Sequence, residues 1–156
     1  MYWPDLFPFI IAPIALLFYL VIIVIILVLV LRLTRGMEPV TVYTSERRIQ
    51  GDPRSIISLL PRPLEERGMS FSVEDNRVIV RAILSYIEVY PITMPSPSIG
   101  FRISVEPAGL VLGILLLLLG ALGLLIDVLL ALAVYDKYNK IARIVDELRG
   151  AAMQGI

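Results

Sequence analysis

The sequence predicts a membrane α-helical chain: two transmembrane helices with a small α+β domain, mostly antiparallel sheet, inserted between them. Three observations carry this expectation. The chain has 156 residues, is 58% hydrophobic and has a mean hydropathy of +0.84, too apolar for an ordinary soluble domain. Two long stretches, one near each end, are almost free of charge. The residues between them alternate apolar and polar with the period of β-strands. The expected division is an interfacial N-terminus (1–8), a first transmembrane helix (9–33), the α+β domain (34–107), a second transmembrane helix (108–135), an amphipathic heptad extension (136–150) and a tail (151–156).

Phe9 to Leu31 carries no charge. Its 23 residues reach ~35 Å as helix, enough to cross a hydrocarbon core of ~30 Å with some tilt. The second half, VIIVIILVLVL, is β-branched, but in lipid the backbone must satisfy itself, which favours helix. Tyr2 and Trp3 suit an interfacial belt, Pro4 and Pro8 the helix entry, and Pro13 a kink. No Lys or Arg precedes the run and no small-x-small site follows it. An uncleaved anchor is therefore expected rather than a signal peptide.

Between the apolar stretches, PVTVYTS (39–45) reads as a strand. GDPRSIISLLPRPLEERG follows, with Asp52 as helix cap, Pro53 at the first helical position, Pro61 and Pro63 breaking the helix and Gly68 ending its second piece. MSFSVEDNRVIVRA (69–82) reads as a hairpin with Asp75 and Asn76 at its tip, where positive φ is tolerated. SYIEVYPI (85–92) is a further strand, and TMPSPS (93–98) a loop. In SIGFRISVE (98–106), Ile99, Phe101, Ile103 and Val105 alternate with Gly100, Arg102, Ser104 and Glu106. That is the pattern of a half-buried strand. The order β-α-β-β-β-β implies one helical layer on a mostly antiparallel sheet.

The second apolar stretch opens after Pro107. From Ala108 to Tyr135 there are 28 residues, or ~42 Å of helix, so this helix must tilt or project from the membrane. Beyond it, Val134, Tyr138, Ile141, Val145 and Leu148, continuing to Ala152, alternate at spacings of four and three and form a heptad seam. Carried backward, the seam runs through Ala131, Asp127, Leu124, Gly120, Leu117 and Gly113. Gly109 and Gly113 make a G-x-x-x-G, and Gly123 lies beside the stripe. Small residues on one face let helices approach closely in lipid. The packing face Gly109, Gly113, Gly120, Gly123 and Asp127 is therefore expected to meet other membrane subunits or copies of the chain. Asp127 has two readings: it reaches water at the interface, or it sits within the bilayer as a functional group.

Both termini are expected on one side of the cell membrane in this multi-pass arrangement. Its orientation is unresolved, because Arg32 and Arg35 favour one sense and Lys137, Lys140 and Arg143 the other. Formal net charge is zero, which gives no basic field for nucleic acid. Cysteine and histidine are absent. Disulfides, thiolate metal sites and histidine general bases are thereby removed, and no cofactor is expected. Twelve Arg, two Asn and two Gln fit a thermophilic source or a GC-rich genome equally well.

No phosphate-binding loop, dinucleotide fingerprint, nucleophile elbow or zinc-protease motif occurs. The adjacent pairs Glu65–Glu66, Glu74–Asp75 and Asp146–Glu147 point in different directions on a helix or strand and read as surface charge. Both lysines would lie across the membrane from the domain's serines, which argues against a Ser–Lys dyad. Arg47, Arg48 and Arg54 flank the helix start at Gly51-Asp52-Pro53 and form a weak candidate site for an anion or an anionic lipid. The expected function is a non-catalytic two-span subunit that assembles through its Gly/heptad helix into an oligomeric or multi-subunit membrane complex, as an accessory subunit. The alternatives are a small homo-oligomeric channel or transporter with Asp127 in the pathway, and a membrane-tethered module that binds lipid or another ligand.

Overall fold

The computed structural model describes residues 3–154, so Tyr2 lies outside the described residues. The chain divides into two compact units, residues 1–37 and 38–156. The first is one helix, α1 (Trp3–Leu33), which retains Pro8 and Pro13 within it. Its stretch Pro4–Leu33 is the one helix among the described residues long and apolar enough to cross a membrane.

The second unit is a mixed α+β fold. Five antiparallel strands, β1 (Val40–Arg48), β2 (Phe71–Glu74), β3 (Arg77–Ala82), β4 (Ser85–Ile92) and β5 (Ser98–Val105), are ordered β1-β5-β4-β3-β2. Asp75 and Asn76 both take positive φ, 46° and 65°, as a two-residue hairpin tip requires. Two short helices, α2 (Pro53–Leu59) and α3 (Pro61–Glu66), follow β1. The Asp52 carboxylate caps α2, accepting from the Arg54 backbone N–H at 3.1 Å, with Pro53 in the first turn. α4 (Pro107–Leu117) and α5 (Ala121–Gln154) complete the unit.

The expected second transmembrane helix does not form. Residues 108–135 are split by a reversal at Leu118–Gly120, where Gly120 adopts φ +73°. The Leu118, Leu119 and Gly120 N–H groups donate to the Leu115, Leu116 and Leu117 carbonyls at 3.0–3.1 Å, which closes the end of α4. α4 then packs back against the first half of α5. At Gly123 an added Cβ would stand 1.5 Å from the Leu116 carbonyl oxygen, so only glycine permits this approach. With 11 residues, α4 extends ~16 Å and is too short to cross a ~30 Å core.

The heptad seam also has a different partner from the one expected. Tyr138, Ile141 and Val145 are buried with Val78, Val80, Ile87, Val89, Ile99 and Phe101 from the sheet, and Val134 and Leu148 pack against this cluster. Ala142 and Ile144 are buried as well. The apolar stripe is thus broader than two heptad positions, as in a helix that fills a globular core. Residues 136–150 are the main helical layer of the domain. The sheet and this layer must therefore lie on the same side of any membrane, which excludes a crossing between residues 107 and 136.

Contacts along α5 fix its direction. Lys137 Nζ donates to the Arg81 carbonyl, and the Tyr138 hydroxyl bonds Ser45 Oγ at 2.8 Å. Further along, Arg47 pairs with Asp146, and Arg149 donates to the Arg48 carbonyl at 3.2 Å. α5 therefore runs alongside β1, and its first half overhangs the end of the sheet.

Ile141 is fully buried. Ile141→Ala should lower the unfolding free energy by about 2–5 kcal/mol, measured by thermal or denaturant unfolding in detergent. Gly123→Ala should cost about 1–3 kcal/mol by overpacking. Gly150, which has open space around its Cβ position, should accept Ala with a small gain in stability.

Candidate functional site

The apolar overhang is the most unusual surface of the second unit. Leu110, Ile114 and Leu117 on α4, Leu118 and Leu119 in the turn, and Leu122, Leu124, Leu125, Val128, Leu129 and Leu132 on α5 are all exposed; Leu118 reaches 74%. Monomeric soluble proteins seldom expose contiguous apolar surface on this scale. The strand register extends it onto the domain. Ala82 pairs with Ser85, Ser85 with Val105, and Val105 with Val40, so these residues share the sheet end from which the hairpin projects. The adjoining β3–β4 turn is Ile83-Leu84. Ile83, Val40, Val42 and Tyr43 are exposed, and Leu84 takes φ +51°. An added Cβ at Gly109 would lie 2.9 Å from Leu84 Cβ, so glycine seats the start of α4 on this turn.

The opposite end of the sheet is polar. It carries Arg47, Arg48, Glu74, Asp75, Asn76 and Arg77. The sheet face opposite α5 is charged too: Glu88 pairs with Arg77 at 2.9 Å and with Arg102 at 3.5 Å, and Arg102 stacks over Tyr90 at 5.1 Å from the ring centre. At the hairpin's base lies a polar collar. The Tyr86 hydroxyl donates to Glu106 at 2.6 Å, and Asp136 pairs with Lys140 at 3.1 Å.

Between hairpin and sheet lies a cleft of about 780 Å³, lined by Tyr43, Leu84, Ser85, Val105, Gly113, Ile114, Leu130 and Val134 among others, with Asp127 the one charged residue of its lining among the described residues. Such a volume falls within the ~300–1,000 Å³ of small-molecule sites. Asp127 is half-buried. A Cβ on Gly113 would stand 3.5 Å from Asp127 Oδ1, an ordinary contact distance, which places the carboxylate beside Gly113 of α4. Asp127 takes part in no ion pair or side-chain hydrogen bond among the described residues.

Gly113, Gly120, Gly123 and Asp127 are thus brought together, within one chain, at the turn and packing face of the hairpin, while Gly109 seats its start on the domain. Val134, Tyr138, Ile141, Val145 and Leu148 are occupied by the sheet and its neighbours. The three arginines do not converge. Arg47 is engaged by Asp146, whose hydrogen bond, with its charge, raises the guanidinium pKa. Arg48 and Arg54 lie elsewhere, Arg54 in a shallow depression with Asp75, Asn76 and Arg77. Lys137 shares the domain's side but bonds a backbone carbonyl rather than a serine. Sequence reasoning missed the contribution of Ile83 and Leu84, although an apolar pair at a hairpin turn is itself a signal.

Compared with known protein families, curated proteins and solved structures, the chain matches none.

The Tyr86 hydroxyl is held above its ordinary pKa of 10.0 first by its hydrogen bond to Glu106, then by desolvation and the carboxylate's charge. A raised folded pKa means the bond stabilises the fold fully below the unfolded value of ~10 and is lost as pH rises through the folded value. The stability difference between the wild type and Tyr86→Phe should therefore be constant from pH 7 to 9 and shrink above 10, as read by denaturant titration.

Proposed function

We propose that this protein is a membrane-anchored, non-catalytic surface module. Its long N-terminal helix serves as anchor, and the α4–α5 hairpin dips into one leaflet and returns. The observation that carries this reading is the hairpin itself: an exposed apolar arm that projects from one end of a domain whose other end and outer sheet face are charged. The arm's ~16 Å reach is close to half of a ~30 Å hydrocarbon core. At its tip, three turn N–H groups are satisfied within the turn, which limits the cost of placing irregular backbone in lipid. Tyr43, Tyr86 and Tyr135 near the base, with Glu106, Asp136 and Lys137, have the amphipathic character of an interfacial belt. In this arrangement the ion-paired sheet face stays in water.

Cysteine is absent from the sequence, so single cysteines can report depth cleanly. Full-length Leu119→Cys and Val73→Cys, each carrying an environment-sensitive fluorophore, would be placed in liposomes. Leu119 should be quenched by lipids spin-labelled along the acyl chain and shielded from an aqueous quencher, with Val73 showing the reverse. Aqueous quenching of Leu119 equal to that of Val73 would overturn the proposal.

A further inference from the structure

We propose that the cleft between the hairpin and the sheet is a binding site for one alkyl chain drawn from the bilayer, its head group bearing a hydrogen-bond donor, ammonium or hydroxyl, that Asp127 accepts. The inference rests on the leaflet reading for its source of ligand. The cleft is continuous with the exposed apolar surface of the hairpin, because Leu110, Ile114, Leu117, Val128 and Leu132 belong to both. Its walls suit a flexible hydrocarbon. Polar groups are few: the Ser85 hydroxyl already donates to the Ile83 carbonyl, and the Tyr43 and Tyr135 phenols lie toward the base.

Asp127 is the exception, and its placement is specific. It stands beside Gly113 across the hairpin, half-buried, in a wall that is otherwise apolar. Hydrocarbon filling the cleft would strip water from this half-exposed carboxylate, and without a partner that is costly. A donor head group relieves that cost with a charge-assisted hydrogen bond, and a chain carrying its own carboxylate is repelled. The site therefore discriminates by head group while tolerating the chain.

The test uses the full-length protein in lipid nanodiscs with three photoreactive 16-carbon probes, a primary amine, an alcohol and a carboxylic acid, each with a mid-chain diazirine. Labelled peptides are mapped by mass spectrometry. The amine and alcohol should label residues lining the cleft at least about fivefold more than the acid, and Asp127→Asn should bring the three to within about twofold. Ala131→Trp, which fills the cleft and keeps Asp127, should suppress labelling by all three. Equal labelling by the three probes in the wild type, or labelling that neither substitution alters, would overturn the site. The two readings fail separately. Unselective labelling with Leu119 in lipid overturns the cleft alone, whereas selective labelling with Leu119 in water overturns the leaflet reading alone.

Discussion

One helix serves two purposes. The second half of α5 is the layer that closes the core of the α+β domain, and its first half is one arm of an apolar hairpin. Because the helix is continuous, the packing of Tyr138, Ile141 and Val145 on the sheet sets the direction in which the hairpin leaves the domain. Tyr138 is the pivot: its ring meets Phe101 and Tyr43 edge-on at 5.6 and 5.8 Å, and its hydroxyl meets Ser45. Such contacts combine large apolar burial with a satisfied polar end. Arg47 and Asp146 fasten the far end of the same helix to β1.

Glycines turn that direction into a compact arm. Gly120 supplies the left-handed residue that ends α4 and begins α5, a conformation that favours glycine. Gly123 accepts the Leu116 carbonyl and Gly109 accepts Leu84, and a Cβ would block both contacts. Close approach of backbones through small residues is the usual means of helix association in lipid, and here it operates between adjacent segments of one chain. The outcome is an arm with leucines around most of its circumference on a domain that is otherwise well ion-paired.

Much of the domain was legible from the sequence. Alternation in 98–106 locates β5, the Asp75-Asn76 pair locates a hairpin tip, and Asp52-Pro53 locates the start of α2. In each case a residue type is tied to a backbone conformation. The hairpin was not legible, because residues 110–126 are almost uniformly apolar and a uniform stretch has no periodicity from which to read a reversal. Gly120 there fits a packing stripe as well as a turn. The spacing at 134–148 marks an apolar face but does not name its partner, which is the sheet. Heptad spacing is shared by coiled coils and core helices, and the widening at Ala142 and Ile144 is what separates them. A membrane between the seam and the sheet would divide one core in two. Of the site, Asp127 and the glycines were visible as unusual residues in an apolar stretch. The meeting of Asp127, Gly109 and Gly113 at one cleft depends on the reversal and on the Ile83-Leu84 turn.

The central claim is that the second apolar stretch turns back rather than crosses. Leu110 and Leu132 are both exposed, and spin labels on this pair in the full-length protein, in nanodiscs, measure it directly. A continuous helix would separate their backbones by roughly 33 Å at ~1.5 Å per residue, whereas packed antiparallel helices have axes about 8–10 Å apart. The structure requires the short distance, lengthened only by the label tethers. A distribution centred near the long one would mean a single unbroken helix and would contradict the account.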